Sequence, residues 1–277
     1  MEETRKENLV QKRMGRMMFD FHAFLEEHGL PYYLWAGTLL GAVRHQGFIP
    51  WDDDLDIAML RKDFDRLLEL ADQIPEPYRL CCAGRPGTHE NFPYFFAKLE
   101  DTQTRLIENS IRHLGVPSGL YIDVFVLDTV PSNPLKRKLQ FLQLDFWMMI
   151  RKLLLMDPKK SRSVLKQILV KVVQKLFRLQ NVLKQAEKAA RKYGDLPGAQ
   201  VSSLAERYDT AQPLYDRGLL EDSTAANFEG YRFCIPKKYH EILTATYGDY
   251  MQLPPEDQRV GVHDYELTMA DGSKFTL

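Results

Sequence analysis

The run 35-WAGTLLGAVRHQGFIPWDDDLDIAML-60 constrains the fold more than any other part of this 277-residue chain. Residues 54–59, D-L-D-I-A-M, alternate acid with apolar side chains, the period-two signature of a strand. The spacing predicts a strand over 54–59, with Asp54 and Asp56 on one face and Leu55 and Ile57 buried on the other. Asp52 has the same parity and joins them if the extended backbone starts early. Upstream, 32–36 reads as a short apolar strand. Gly37-Thr38 then opens a helix over 39–46 that Gly47 ends.

Carboxylates crowded on one face repel unless a cation neutralises them. Hard oxygen ligands suit Mg²⁺ or Mn²⁺. At Gly37-Thr38 the free N–H groups of a helix start favour a phosphate, glycine permits close approach, and the threonine hydroxyl adds a donor. A phosphate cradle beside metal-binding carboxylates points to phosphoryl-group chemistry, where positioning and charge neutralisation do most of the work. The acid cluster alone also suits a solvated loop or a set of caps. A calcium loop fits D-x-D-x-D at 52, 54 and 56, but Ile57 stands where that loop needs glycine and Asp63 where it needs glutamate. The D-x-D site of nucleotide-sugar glycosyltransferases shares the chemistry without needing the Gly-Thr opening.

The rest of the chain frames this run. Helices are expected over 5–28 and 62–73. The apolar stretch 121-YIDVFVLD-128 reads as a strand that carries Asp123 between Ile122 and Val124, where a carboxylate needs a partner; Asp128, of opposite parity, reads as a turn residue. Pro131-Ser132-Asn133-Pro134 breaks the chain, and 135–193 looks almost wholly helical. That segment holds 16 Lys and Arg against three acids, so a net −1 for the whole chain leaves −14 elsewhere. The expected organisation is a catalytic core over 1–133, a basic helical insertion over 134–195 and a C-terminal segment over 196–277 that completes the site. No apolar run is long enough to span a membrane. The charged start lacks a secretory core, and the three cysteines match neither a zinc pattern nor a disulfide framework. A cytoplasmic location is expected, with no nucleic-acid partner.

The stretch 37-GTLLGAVRHQGFIPWDDDLDIAM-59 closely resembles the LicD family, phosphorylcholine transferases of bacterial surface polysaccharides, whose outline the fukutin-type enzymes share. The segments 94-YFFAKLEDTQTRL-106, 119-GLYIDVFVLD-128 and 228-FEGYRFCIPKKYHEILTATYGDYMQLPPEDQR-259 extend the likeness. The resemblance implies an α+β fold: a nucleotidyltransferase-type core of mixed sheet and helices, with the basic helices inserted. Thr38 stands where that superfold often has serine, and the hydroxyl is kept. The resemblance makes Asp54 and Asp56 the metal carboxylates, with Asp52 as an added ligand. It makes Asp123 the later-strand carboxylate, as ligand or general base, with a buried structural hydrogen-bond acceptor as the alternative, and Lys98 a phosphate contact, with a solvated surface lysine as the alternative. Arg44, one or two turns after Gly37-Thr38, could clamp donor phosphates or be a surface arginine. His45 could pass a proton or simply pack. Phe92, Tyr94, Phe95 and Phe96 could cage a quaternary ammonium or pack in the core.

The implied reaction moves a substituted phosphate, phosphorylcholine first among candidates, from CDP-choline or another CDP-alcohol. The acceptor is a hydroxyl of a cell-surface glycan or its lipid-linked precursor, and CMP leaves. A nucleotidyltransferase that moves NMP from an NTP is the rival, and a non-catalytic glycan- or membrane-binding module a third reading. In the basic segment, Leu165, Leu169, Val172, Leu176, Leu179 and Leu183 form one helical stripe, with Lys171, Lys175 and Arg178 roughly opposite. Two readings stay open there: peripheral contact with an anionic membrane through 135–193, or a bundle packing its leucines on the core.

Overall fold

The computed structural model describes residues 2–194, 196, 199–206, 213–261 and 264–276, with side chains from residue 9 onward. In chain order the elements are α1 Glu2–Glu27, β1 Tyr33–Leu34, α2 Ala36–Arg44, β2 Asp56–Leu60, α3 Arg61–Leu70, β3 Tyr78–Cys81, β4 Ala97–Glu108 and β5 Ser118–Val130. Then follow α4 Pro134–Leu155, α5 Val164–Leu176, α6 Leu179–Ala190, β6 Gln200–Ser203, β7 Tyr215–Asp216, β8 Ser223–Phe228, β9 Tyr231–Pro236, α7 Tyr239–Tyr247, β10 Tyr265–Thr268 and β11 Lys274–Thr276. The fold is α+β, as expected.

Two long strands organise the sheet. β5 pairs β4 antiparallel over its first half, β2 in parallel over its middle and β6 antiparallel at its end. β4 takes β3 near its start and β10 near its end. The sheet therefore draws strands from both sides of the helical segment. β8 and β9 form a separate hairpin. β5 is buried along nearly its whole length, which explains its continuous apolar run.

Parity divides β5 between two faces. Asp128 points away from Asp123 and sits inside the strand, not in a turn. It is 1% exposed and takes two hydrogen bonds from Arg61, at 2.8 and 2.7 Å. The same side carries Asp101 of β4, held by Arg13 of α1 at 2.7 Å. Asp123, Lys98 and Tyr121 share the other side.

The basic segment folds as three helices. Asn133 caps α4 through its side chain, with Pro134 at the first helical position, the favoured place for proline. The leucine stripe expected to be continuous is broken at Phe177 and Arg178, which are extended. Leu183 therefore belongs to α6, where it is buried in the main core, and Leu179 packs against that core. Leu165, Leu169, Val172 and Leu176 stay on α5, between 47% and 80% exposed. The reading in which this stripe packs on the core holds for Leu179 and Leu183 and fails for the four residues on α5. Asp195, Pro197 and Gly198, at the expected boundary after the insertion, lie outside the described residues.

Candidate active site

The acid run straddles a loop and a strand. The strand expected from residue 54 begins at Asp56. The ladder reaches one residue further back, since the Asp123 amide donates to the Leu55 carbonyl at 2.9 Å. Leu55 is fully buried and anchors the turn. Asp52, Asp53 and Asp54 precede it in irregular backbone, freed from strand parity. Each offers a carboxylate oxygen, and these oxygens lie within 4.8 Å of one another. Asp53, not among the expected ligands, thus joins Asp52 and Asp54, while Asp56 lies outside this close set.

Asp56 has another neighbour. It stands directly opposite Asp123 in the parallel register of β2 and β5, and Asp123 in turn stands opposite Lys98 of β4. All three are buried, at 6%, 8% and 3% exposure. Lys98 Nζ lies 3.3 Å from Asp123 Oδ1 and 3.5 Å from Glu108 Oε1. Its geometry to Asp123 Oδ1 is that of an ion pair without a well-aligned hydrogen bond. The ammonium also sits 3.1 Å from the Tyr121 ring centroid and 4.6 Å from that of Tyr94, favourable cation–π contacts. Burial disfavours the charged lysine, but the surrounding negative groups, Asp123 first, outweigh it and raise its pKa well above the usual value. Lys98 is thus a buried cation and not a solvated surface lysine.

Asp123 rises as well. Burial is the largest cause; Lys98 opposes it, and the charges of Asp54 and Glu108 add to it, so the carboxyl is pushed up to about 6. One attractive partner does not offset burial and two like charges. A group with that affinity near neutral pH is suited to exchange a proton.

The expected phosphate cradle is the first turn of α2, which starts at Ala36, three residues earlier than the expected helix. Ala36 has φ 45°, a left-handed conformation costly for a residue with a Cβ and typical of constrained sites. A Cβ on Gly37 would lie 2.8 Å from Asp52 Oδ2, so glycine there keeps room for the acid. The Thr38 hydroxyl is buried and accepts the Asp56 amide at 2.8 Å. It ties the first turn of α2 to the first residue of β2 and keeps its hydrogen to donate.

Arg44 and His45 turn toward the C-terminal segment. Arg44 Nη1 donates to the Tyr250 carbonyl at 2.7 Å, and Nε donates to His45 Nε2 at 3.0 Å. His45 accepts there, which places its proton on Nδ1. Burial first, then the Arg44 charge, lowers its pKa, so it is neutral at pH 7. Phe92, Phe95 and Phe96 are buried. Tyr94 is half-buried, donates to Glu108 at 2.8 Å and carries Arg151 near its ring as well as Lys98. Its faces are already met by cations, which disfavours a cage for a further one.

Sequence reasoning missed several contributors from the C-terminal third. The Glu229-Gly230 turn of the β8–β9 hairpin has positive φ at both residues. Its Glu229 amide donates to the Gln46 carbonyl at 3.1 Å, and its carboxylate accepts the Phe48 amide at 3.1 Å. The hairpin thereby fixes the loop leading to the acids. Tyr265 of β10 donates to the Asp53 carbonyl at 3.2 Å. Tyr247, closing α7, is held protonated by burial and by the charges of Asp56 and Asp52. Glu229 and Tyr247 lie in the segment 228–259 that carries the family resemblance, but their contacts with the acid loop could not be read from it, because strand pairing and loop docking bring these residues in from far along the chain.

Comparisons with known proteins place the chain in a family. A family model described as "LicD/FKTN/FKRP, nucleotidyltransferase domain" matches residues 29–91, which hold the first turn of α2, the three clustered aspartates and Asp56. The lipopolysaccharide cholinephosphotransferase LicD of Haemophilus influenzae is 30% identical over 262 residues, 89% of this chain and 91% of the relative. An uncharacterized protein of Rickettsia prowazekii is 38% identical over 78 residues, 27% of this chain and 29% of that protein. The human ribitol 5-phosphate transferase FKRP is 49% identical over 39 residues, 14% of this chain and 8% of its own length. The extent of the first match, together with the family model over the acid run, shows that the chain belongs to the LicD family.

Proposed function

We propose that this protein is a metal-dependent transferase that moves a substituted phosphate, phosphorylcholine first among candidates, from a CDP-linked alcohol to a glycan hydroxyl, releasing CMP. The observation that carries the reading is the juxtaposition of three mutually close carboxylates with a buried Asp123–Lys98 pair. Support comes from relatives whose names specify transfer of choline phosphate to lipopolysaccharide and of ribitol 5-phosphate.

The donor set fits a hard divalent cation. It consists of carboxylate oxygens only, at mutual distances that one ion can bridge, and the missing Cβ of Gly37 leaves Asp52 its place. Asp52, Asp53 and Asp54 would hold Mg²⁺ or Mn²⁺, which supplies neutralisation of the donor's phosphates and of charge building on the departing CMP. Asp56 adds a buried negative charge behind that cluster. The first turn of α2 orients donor phosphate through the Gly37 and Thr38 amides. The Asp123 carboxylate, one oxygen of which faces Lys98, takes the proton of the acceptor hydroxyl as the hydroxyl oxygen bonds to phosphorus and the bond to CMP breaks. Lys98 holds Asp123 in place, and Arg44 with His45 braces the wall of the donor site against residues 250–252.

The test is incubation of the purified protein with CDP-choline, CDP-ribitol, CDP-glycerol or CTP, plus Mg²⁺ and a glycan acceptor, read by mass spectrometry. CMP and a phosphoalcohol-modified glycan are expected with one CDP-alcohol. Consumption of CTP with release of pyrophosphate, and of no CDP-alcohol, would replace this reading with nucleotidyl transfer.

A further inference from the structure

Helix α5 presents an apolar face to solvent. Leu165, Ile168, Leu169, Val172 and Leu176 fall on one side of a helix that advances about 100° per residue, and they are 80, 53, 50, 47 and 70% exposed. The other side carries Val170 and Val173, which are buried; Val173 packs with Ile150 and Leu154 of α4. Helix α4 repeats the pattern. Leu135, Leu139, Leu142, Phe146 and Met149 form one exposed stripe, while Leu144 and Met148 on the far side join the main core. Each helix is thus already packed by one face and carries a second apolar face. Single exposed leucines are ordinary; stripes on two neighbouring helices mark an interaction surface.

Charge selects the occupant. Lys171 and Lys175 lie along one flank of the α5 stripe, and Lys166 is near the start of the helix, all exposed. The segment 135–193 carries 16 basic and three acidic residues. A second copy docked through these faces would bring two strongly positive segments together within a Debye length, about 8 Å at physiological ionic strength. An anionic bilayer instead meets both features. Apolar side chains enter the acyl boundary while flanking lysines reach the lipid phosphates. Among the described residues no helix is long and apolar enough to cross a membrane, so such helices lie on the surface.

We propose that α4 and α5 dock the protein on anionic membrane through their exposed apolar stripes and flanking lysines, whether or not the transferase reading holds. The test is co-sedimentation of the full chain with vesicles of phosphatidylcholine alone or mixed equally with phosphatidylglycerol. Binding to the mixed vesicles is expected at low salt, at least about tenfold weaker on phosphatidylcholine alone, and falling as salt screens the lysines. The combined variant Lys171→Glu, Lys175→Glu should lose the salt-sensitive part. The combined variant Leu165→Gln, Leu169→Gln, Leu176→Gln should lose at least about tenfold at low salt with its charge unchanged, a loss that pure electrostatic adsorption does not produce. Both variants alter exposed residues and should keep the wild-type melting temperature, which separates lost docking from lost folding. The proposal is overturned by absence of binding to the mixed vesicles, or by undiminished binding of the glutamine variant. It is equally overturned by a wild-type dimer in light scattering that the glutamine variant loses while vesicles stay unbound.

Discussion

Lys98 and Asp123 face each other across β4 and β5, Nζ 3.3 Å from Oδ1, with both side chains withdrawn from solvent. A buried ion pair is weak evidence for stability, because desolvation offsets much of the attraction. Its use here lies in position. It fixes one carboxylate beside Asp56 and sets its proton affinity between opposing influences.

Lys98→Met removes the cation and leaves Asp123 buried without it. The expected cost is about 3–5 kcal/mol of stability at neutral pH, the usual result of breaking one side of a buried pair. The double variant Lys98→Met, Asp123→Asn should recover a large part, since the buried Asp123 charge is gone and Glu108, which also loses the lysine, keeps its hydrogen bond from Tyr94. Urea denaturation of the three proteins checks this. Equal instability of the single and double variants would show that packing, not charge, dominates.

Asp53→Asn separates two descriptions of the metal site. Strand alternation places Asp53 on the wrong face and predicts no effect. The structure starts the strand at Asp56 and places Asp53 with Asp52 and Asp54. Asp53→Asn and Asp54→Asn are each expected to weaken Mn²⁺ binding more than about tenfold, roughly 1.4 kcal/mol, and EDTA should abolish transfer. Calorimetry with Mn²⁺ on the purified variants decides, and wild-type affinity in Asp53→Asn would restore the alternating picture.

The alternation in D-L-D-I-A-M showed the strand, and the buried faces of Leu55 and Ile57 were legible from it. What the pattern could not show was where extended backbone begins. Side-chain parity has meaning only inside a strand, and residues 52–54 lie before it. Likewise Asp123 stood out as an acid inside an apolar run, whereas Lys98 was marked only by the family resemblance, and its place opposite Asp123 became visible only with the register of β4 on β5. The leucine stripe was legible as periodicity, but its interruption was not. Phe177 and Arg178 are ordinary helix residues by propensity, yet both are extended, and α6 packs against α4 beyond them. The contributions of Glu229, Tyr247 and Tyr265 depend on contacts across more than 180 residues of chain, which the likeness of segment 228–259 to the family did not reveal.

Thr38→Val keeps the side-chain shape and removes the acceptor of the Asp56 amide. The amide is buried at the start of β2, so the expected loss is about 1–3 kcal/mol, the desolvation cost of an unsatisfied donor. Thr38→Ser keeps the oxygen and should restore most of that stability. Activity should follow the same order, because the hydroxyl joins α2 to the acid strand. Thermal unfolding of both variants checks the claim. A valine variant as stable as wild type would mean that the amide finds another partner.

Gly37→Ala tests the cradle through a single methyl group. The added Cβ would meet Asp52 Oδ2 at 2.8 Å, closer than carbon and oxygen pack without displacement. The obstructed atom ends a partly exposed side chain on irregular backbone, so the carboxylate can swing aside. Helix propensity slightly favours alanine over glycine, by about 1 kcal/mol in a helix interior. The two effects act on different quantities. Stability should change by less than about 1 kcal/mol, while displaced Asp52 should weaken Mn²⁺ binding and lower transfer by about tenfold or more. Adding Asp52→Ala to the variant should relieve the steric conflict without restoring the ligand, so metal affinity should fall no further than in Asp52→Ala alone. Calorimetry with Mn²⁺ on the two single variants and the double variant measures this non-additivity directly. Fully additive losses would show that Gly37 acts on the site independently of Asp52, through the approach of phosphate to its own amide.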